Sequence, residues 1–180
     1  MIKKMKGLTL VELVVTLAIA AIVSLIAVPH MKKFMAKQQL SADLLKIKST
    51  IETARNQAIS NKQTIRICGA LPDLKSTHEA TLDCKSDWTQ LTVIKTKGLT
   101  QSKVLHQQIL AEHYRTVQWS AFQRKPYLEL TPYGFTNHQN GTLYLCHKKY
   151  SSLHRAVMVS KTGRVTISKN NPNIKTKCNP

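Results

Sequence analysis

The side chains in this sequence that could perform chemistry form few recognisable catalytic or metal-binding patterns. The four cysteines are Cys68, Cys84, Cys146 and Cys178. No two of them form the C-x-x-C pair of zinc clusters and thioredoxin-type sites. Among the seven histidines, His138, His147 and His154 have neither ligand spacing nor a nearby acid. The chain also lacks a nucleophile elbow, a glycine-rich phosphate loop and paired catalytic carboxylates. We therefore predict no enzyme activity, no metal and no cofactor.

Positive charge is the second chemical feature of the sequence. There are 27 Lys and Arg residues against 9 Asp and Glu, which gives a net charge of +18. No acid follows Glu129, whereas the same segment contains Lys148, Lys149, Arg155, Lys161, Arg164, Lys169, Lys175 and Lys177. Clustered cations attract phosphate groups through counterion release and do not read base sequence. The pattern favours an anionic partner: nucleic acid such as double-stranded DNA, anionic lipid, or an acidic protein face. A merely solvated basic surface is the alternative.

The N-terminus determines the compartment in which these groups would act. Leu8 to Val28 is a run of 21 residues in which only Thr9, Glu12, Thr16 and Ser24 are polar. As a helix it would be roughly 30 Å long, about the thickness of a hydrocarbon core. Three lysines precede it and should stay cytoplasmic. A cleaved secretory signal would be shorter, and an ordinary signal anchor would not need an intramembrane carboxylate.

The residues around this run resemble the leader of type IV pilins and pseudopilins. The stretch KGLTLVE places a glycine before the apolar run and a glutamate five residues after it. The resemblance implies that prepilin peptidase cuts between Gly7 and Leu8 and that Leu8 becomes N-methylated. It also gives Glu12 and Pro29 the positions of the family's assembly glutamate and helix proline. We expect Glu12 to pair with the new α-amine of a neighbouring pilin, since opposite charges attract strongly in a low dielectric.

The rest of the chain predicts an α+β fold, with a long N-terminal helix packed on an antiparallel β domain in a pilin-like lollipop. Beyond Pro29 an apolar stripe recurs at helical spacing: Leu40, Leu44, Ile47, Ile51, Ala54 and Ala58. Strands are predicted at 63–68, 88–96, 127–131, 141–146, 156–160 and 164–168. In the last hairpin, Val157, Val159, Val165 and Ile167 should face the core.

These predictions divide the chain into four parts: a cytoplasmic leader (1–7), a transmembrane helix (8–28), an amphipathic helix (29–61) and a periplasmic β-rich domain (62–180). The protein would then be a single-pass inner-membrane protein that becomes extracellular once assembled in a filament. In that compartment four cysteines suggest two disulfides, with three possible connectivities. The positions at strand ends favour Cys68–Cys84 and Cys146–Cys178, which would fasten a polar loop and the C-terminal tail.

Segments in the second half resemble GspH/FimT-like minor pilins. They are RIC with DCKSDWTQLTVI, then YLELTPYGFTNHQNGTLYLC, then RAVMVSKTGRVTIS. The resemblance implies one of two roles: a subunit of a type IV pilus, with DNA uptake in FimT-like members, or a tip subunit of a type II secretion pseudopilus. DNA-binding members carry a GRxR motif, whereas this chain has Gly163-Arg164-Val165-Thr166 and so lacks the second arginine. Lys161 and the tail lysines could compensate for that loss.

Overall fold

The computed structural model describes residues 9–69, 84–97, 101–110 and 112–178. The elements in chain order are α1 (Leu10–Ser60), β1 (Ile65–Gly69), β2 (Gln90–Lys97), β3 (Gln101–Ile109), β4 (Tyr114–Ala121), β5 (Tyr127–Leu130), β6 (Gly141–His147), a 3₁₀ turn (Ser151–Leu153), β7 (Arg155–Val159), β8 (Val165–Ser168) and α2 (Ile174–Cys178). The chain divides into two compact units, Met1–Gln39 and Leu40–Pro180.

The described part of the first unit is the N-terminal portion of α1. Its large apolar side chains are exposed, with Leu10 at 79% and Leu25 at 78%. Within the described residues no single helix is long and apolar enough to span a membrane. Leu10–Leu25 and His30–Ser60, bent by 44° at a short break, have that length and composition together. Pro29 lies in the break, and its missing backbone N–H prevents one helical hydrogen bond from forming.

The second unit begins with the C-terminal portion of α1, whose apolar stripe is buried. All six predicted stripe residues are at most 7% exposed, and Ile47, Ile51 and Ala58 are fully buried. This confirms that the helical period was correctly derived from the sequence. The helix ends in a Schellman motif: Lys62 has φ of +51°, and the N–H of Gln63 donates to the carbonyl of Ala58 at 3.1 Å.

Polar contacts among the described residues join this portion of α1 to the β domain. The Tyr114 hydroxyl donates to Asp43 Oδ2 at 2.8 Å, and both side chains are buried. Burial, together with this hydrogen bond, raises the pKa of Tyr114. Thr50 Oγ1 donates to Gln108 Oε1 at 3.0 Å. Farther along, Arg55 Nε donates to the carbonyl of Gly134 at 3.0 Å.

The β domain contains two four-stranded sheets in which all neighbours are antiparallel. The strand orders are β3-β2-β1-β5 and β4-β6-β7-β8. The segment between β1 and β2 links the sheets, because Lys85 bridges to Gly69 and Asp87 bridges to Gln118 of β4. Beside these bridges the rings of Trp88 and Trp119 stack with centroids 4.6 Å apart. The architecture is therefore the predicted α+β fold, with a long helix followed by an antiparallel two-sheet domain.

The structure also corrects details of the strand prediction. Each predicted strand overlaps an observed one, but the sequence reading missed β3, β4 and α2. Ile167 was predicted to face the core and is instead 36% exposed, whereas Val157, Val159 and Val165 are buried. The reason is the position of β8 at the edge of its sheet, where β7 is its one strand neighbour among the described residues.

Candidate functional site

The N-terminal segment contains the predicted assembly residues. Gly7 and Leu8, which form the predicted cleavage site, lie outside the described residues. Thr9 and Glu12 form a reciprocal capping box. The Thr9 N–H donates to Glu12 Oε2 at 3.3 Å, and the Glu12 N–H donates to Thr9 Oγ1 at 3.2 Å. The Glu12 carboxylate is thus held at the first turn of α1, exposed, and close in sequence to Leu8.

The cations beyond Glu129 are divided between the two ends of the β7–β8 hairpin. Ala156 pairs with Ser168 and Val159 pairs with Val165, so the ends are separated by three residue steps. That separation is about 10 Å along the strands. Arg155 and Lys169 flank one end, while Lys161 and Arg164 flank the other. The predicted basic residues therefore form two groups and not one continuous stripe.

The first group, which we call the turn group, consists of Lys161 and Arg164. Both side chains are exposed, and Arg164 and Thr166 face away from buried Val165 as the strand period predicts. The turn is tight, since Gly163 has φ of +75° and its N–H donates to the Ser160 carbonyl at 2.9 Å. Two exposed cationic side chains thus project from a tight turn.

Neighbouring segments fix the position of that turn. The Thr136 N–H donates to the Lys161 carbonyl at 3.0 Å, and Thr136 is fully buried. A side chain at Gly163 would meet the carbonyl oxygen of Gly134 at 2.5 Å and the side chain of Arg55 at 2.9 Å. The sequence did not predict this role of Arg55, because a helical pattern does not reveal which side chain donates a hydrogen bond to the carbonyl of a distant loop.

The second group lies at the opposite end of the hairpin, beside a cavity of about 810 Å³. Arg155, Lys169 and Lys175 line it, together with serine and asparagine side chains. Lys148 and Lys149 follow β6 at the same end and are exposed. Lys177, on α2, lines a separate cavity of about 470 Å³ together with Asp87 and Arg115. We call Arg155, Lys169 and Lys175 the cavity group.

Histidines at this end of the sheet are structural acceptors. His147 Nδ1 accepts hydrogen bonds from the N–H groups of Lys149 and Tyr150, at 3.0 and 3.1 Å. His154 Nδ1 accepts from the N–H of His147 at 3.0 Å. Burial, followed by the nearby charges of His113 and His154, lowers the pKa of His147. Within residues 9–69, 84–97, 101–110 and 112–178, no group of three or more His, Cys, Asp or Glu side chains could hold a metal ion.

Tyrosine rings can stack on nucleic-acid bases, but the tyrosines in and near these strands have different surroundings. Tyr144 is buried, and the ring of Tyr127 lies 4.2 Å from the guanidinium of Arg66. Tyr133 is 77% exposed. These three rings therefore do not share one exposed surface.

Two disulfides are present, Cys68–Cys84 and Cys146–Cys178, and this is the pairing that the strand positions favoured. The second bond holds α2 against β6 and β7. Ile174 and Cys178 are buried in one cluster with Tyr144, Cys146 and Ala156. It thereby fixes the tail that forms one wall of the larger cavity.

Known protein families match both the N-terminal segment and the β domain of the chain. The family model of the type II transport protein GspH matches residues 45–163, and the prokaryotic N-terminal methylation motif matches residues 2–28. The type IV minor pilin FimU of Pseudomonas aeruginosa has a similar fold at 17% identity, covering 75% of this chain and 92% of that chain, with a TM-score of 0.55. The minor pseudopilin EpsH from the type 2 secretion system of Vibrio cholerae is similar at 12% identity, covering 72% and 96%, with a TM-score of 0.53. No curated protein matches the sequence significantly.

Proposed function

This chain belongs to the GspH family of type II transport proteins, and we propose that it is built into a type IV pilus as a minor subunit that contacts DNA. The N-terminal methylation motif implies processing by prepilin peptidase and assembly with other pilins or pseudopilins. In our proposal, cleavage falls between Gly7 and Leu8. Residues 8–28 anchor the chain in the inner membrane by a single pass, and residues 62–180 lie in the periplasm until assembly.

Processing at this position has a direct test. Gly7→Ala should leave an uncleaved precursor. The peptidase of this family recognises a glycine before the cut, and alanine adds a methyl group at that position. Intact-mass measurement of membrane-extracted protein distinguishes the precursor from a chain that begins at Leu8. As a matched control, Ala42→Gly makes the reverse exchange at an exposed position of α1 and should not affect processing. A mature mass starting at Leu8 from the Gly7→Ala variant would contradict the assigned site.

The role proposed for Glu12 follows from its place beside the processed end. Its carboxylate is exposed in the isolated chain and lies in the same helical turn as the residues that follow Leu8. Cleavage would create a positive α-amine, and the carboxylate of a neighbouring subunit would neutralise it within the helix bundle. Glu12→Gln keeps the length of the side chain and removes its charge. We expect normal processing but fewer subunits in sheared filaments; unchanged incorporation would exclude this role.

The observation that supports DNA contact is the distribution of charge. Residues 130–180 contain eight Lys and Arg and no Asp or Glu. Phosphate binding by such groups requires no base recognition, which suits a filament subunit that meets DNA of any sequence. Arg164 in the turn group offers one guanidinium fork, and the missing second arginine leaves Lys161 as its nearest cationic neighbour in sequence.

The test is a titration of the full chain, in an uncharged maltoside detergent, with labelled duplex DNA at several salt concentrations. Each phosphate contact contributes about −0.9 to the slope of log K against log salt. Arg164→Gln and Lys161→Gln should each reduce the slope by about that amount. Lys46→Gln, an exposed cation on α1, is the charge-matched control. No binding at low salt, or an equal effect of the control, would refute DNA contact.

The second candidate is a minor subunit at the tip of a type II secretion pseudopilus, without DNA binding. The description of the matching family and the fold shared with the pseudopilin EpsH favour it. Deletion of the gene discriminates between the two candidates. A loss of transformation with intact exoprotein secretion supports the pilus role, and the reverse supports the secretion role.

A further inference from the structure

The cavity of about 810 Å³ is formed by the two segments that flank the β7–β8 hairpin. One wall comes from the 3₁₀ turn and the start of β7, with Ser151, Ser152 and Arg155. The other comes from the tail, with Lys169, Asn170 and Lys175. Because the sequence has no acid beyond Glu129, the lining contains three cations and no carboxylate. This composition suits a compact anion with more than one negative charge.

Arg155 is held in place at this cavity by backbone carbonyls. Its Nη1 donates to the carbonyls of Ser152 and His154, at 2.9 and 2.7 Å. Its side chain is half-buried, and burial lowers the pKa of Arg155. Nε and Nη2 donate to no protein atom in the described part of the chain. A guanidinium with one nitrogen anchored and the others free of protein partners is prepared to bind an oxyanion.

The opposite wall is also fixed. The disulfide Cys146–Cys178 and the buried side chain of Ile174 attach the tail to β6 and β7. Asn171, between Lys169 and Lys175, accepts the N–H of Asn173 through Oδ1 at 3.0 Å and packs its amide against Met158. The two lysines therefore extend from a tail segment with defined backbone positions.

We propose that the cavity group, Arg155, Lys169 and Lys175, forms a phosphate-binding site. The guanidinium provides directed hydrogen bonds, and the two ammonium groups neutralise a phosphate from the other wall. The ligand is a phosphate group, either free phosphate or a phosphate of a nucleic-acid strand. In the second case the site rests on the proposed DNA function and places part of that contact at the end of the hairpin away from the turn group.

The experiment measures binding of inorganic phosphate to the full chain in maltoside detergent by equilibrium dialysis, at constant ionic strength. Wild-type protein should bind phosphate saturably at one site per chain and retain it against excess chloride and acetate. Lys169→Gln/Lys175→Gln should weaken binding about tenfold or more, which corresponds to about 1.4 kcal/mol or more. The charge-matched Lys46→Gln/Lys125→Gln variant should change binding less than about twofold, since both residues are exposed and neither lines the cavity.

Arg155→Lys provides a test of the guanidinium that keeps its charge. We expect weaker phosphate binding, because an ammonium group cannot make the fork. If that variant fails to fold, the double lysine variant still decides the question. Absence of saturable binding, equal losses in the two double variants, or full competition by chloride overturns the proposal.

Competition with duplex DNA identifies the source of the phosphate. Displacement of bound phosphate by DNA indicates that a strand enters the cavity, whereas independent binding of the two indicates a site for free phosphate. Both results support the site. DNA binding without saturable phosphate binding would overturn this inference and leave the DNA proposal intact. Phosphate binding without DNA binding would refute the DNA proposal and leave the phosphate site intact.

Discussion

Removal of the disulfide between Cys146 and Cys178 should destabilise the β domain by a predictable amount. The bond closes a loop with a sequence separation of 32 residues. The chain-entropy relation for that length gives about 3.7 kcal/mol at room temperature. We propose alanine at both positions, because the two sites are at most 2% exposed and serine would bury two hydroxyl groups. With an m-value of about 2 kcal/mol per molar urea, the unfolding midpoint should fall by about 1.8 M.

The assay is urea unfolding followed by the fluorescence of Trp88 and Trp119, which stack between the sheets and are the only tryptophans in the chain. Cys68→Ala/Cys84→Ala is the matched control, since its bond spans 16 residues and should contribute about 0.6 kcal/mol less. Hydrogen exchange should show that the α2 amides lose protection in the first variant only. A midpoint shift below about 0.5 M, with an unchanged m-value, would refute the argument that the bond constrains the unfolded chain.

Two other predictions concern buried polar groups. Tyr114→Phe removes a hydrogen-bond donor from buried Asp43 and should lower the free energy of unfolding in urea by about 1–3 kcal/mol. Tyr133→Phe, at an exposed ring, should change stability little. Equal effects of the two variants would contradict this prediction. The pKa of His147 is lower in the folded state than its ordinary value of 6.5. At pH values near and below 6.5 the folded protein therefore binds fewer protons than the unfolded chain. Stability should therefore be constant above that pH and fall as the pH decreases through the lowered pKa. His147→Gln should flatten the decrease between about pH 7 and about pH 5, and an unchanged pH profile would exclude His147 as its cause.

The sequence was sufficient to predict those features whose physics is local. The stripe from Leu40 to Ala58 repeats with the helical period, and every member of it is buried. The strand β3 was missed because it is an edge strand rich in glutamine, whose exposed positions obscure the alternation. The strand β4 was missed because its register shifts between Tyr114 and Thr116, so its buried positions do not alternate regularly.

Features that depend on tertiary contact were not predictable from the sequence. The helix α2 has only five residues, too few for a period, and it is held by a disulfide and a buried isoleucine. The larger cavity brings Arg155 next to Lys169, although Lys161 and Arg164 lie between them in the sequence. A hairpin places residues that are close in sequence at its opposite ends. The sequence therefore indicated that the C-terminal segment is basic, but it did not reveal that the charges form two groups.

The anchoring of the turn group by Arg55 and Thr136 has a consequence for binding kinetics. A flexible loop loses conformational entropy when it captures an anion, and this loss weakens binding. Here the turn backbone is already held by the hydrogen bond of Thr136 to Lys161, next to the contact of Arg55 with Gly134. Only the side chains of Lys161 and Arg164 remain to be ordered, at about 0.5–1.5 kcal/mol each. Association at this end of the domain should thus be limited by diffusion and charge steering, and not by a slow rearrangement of the protein.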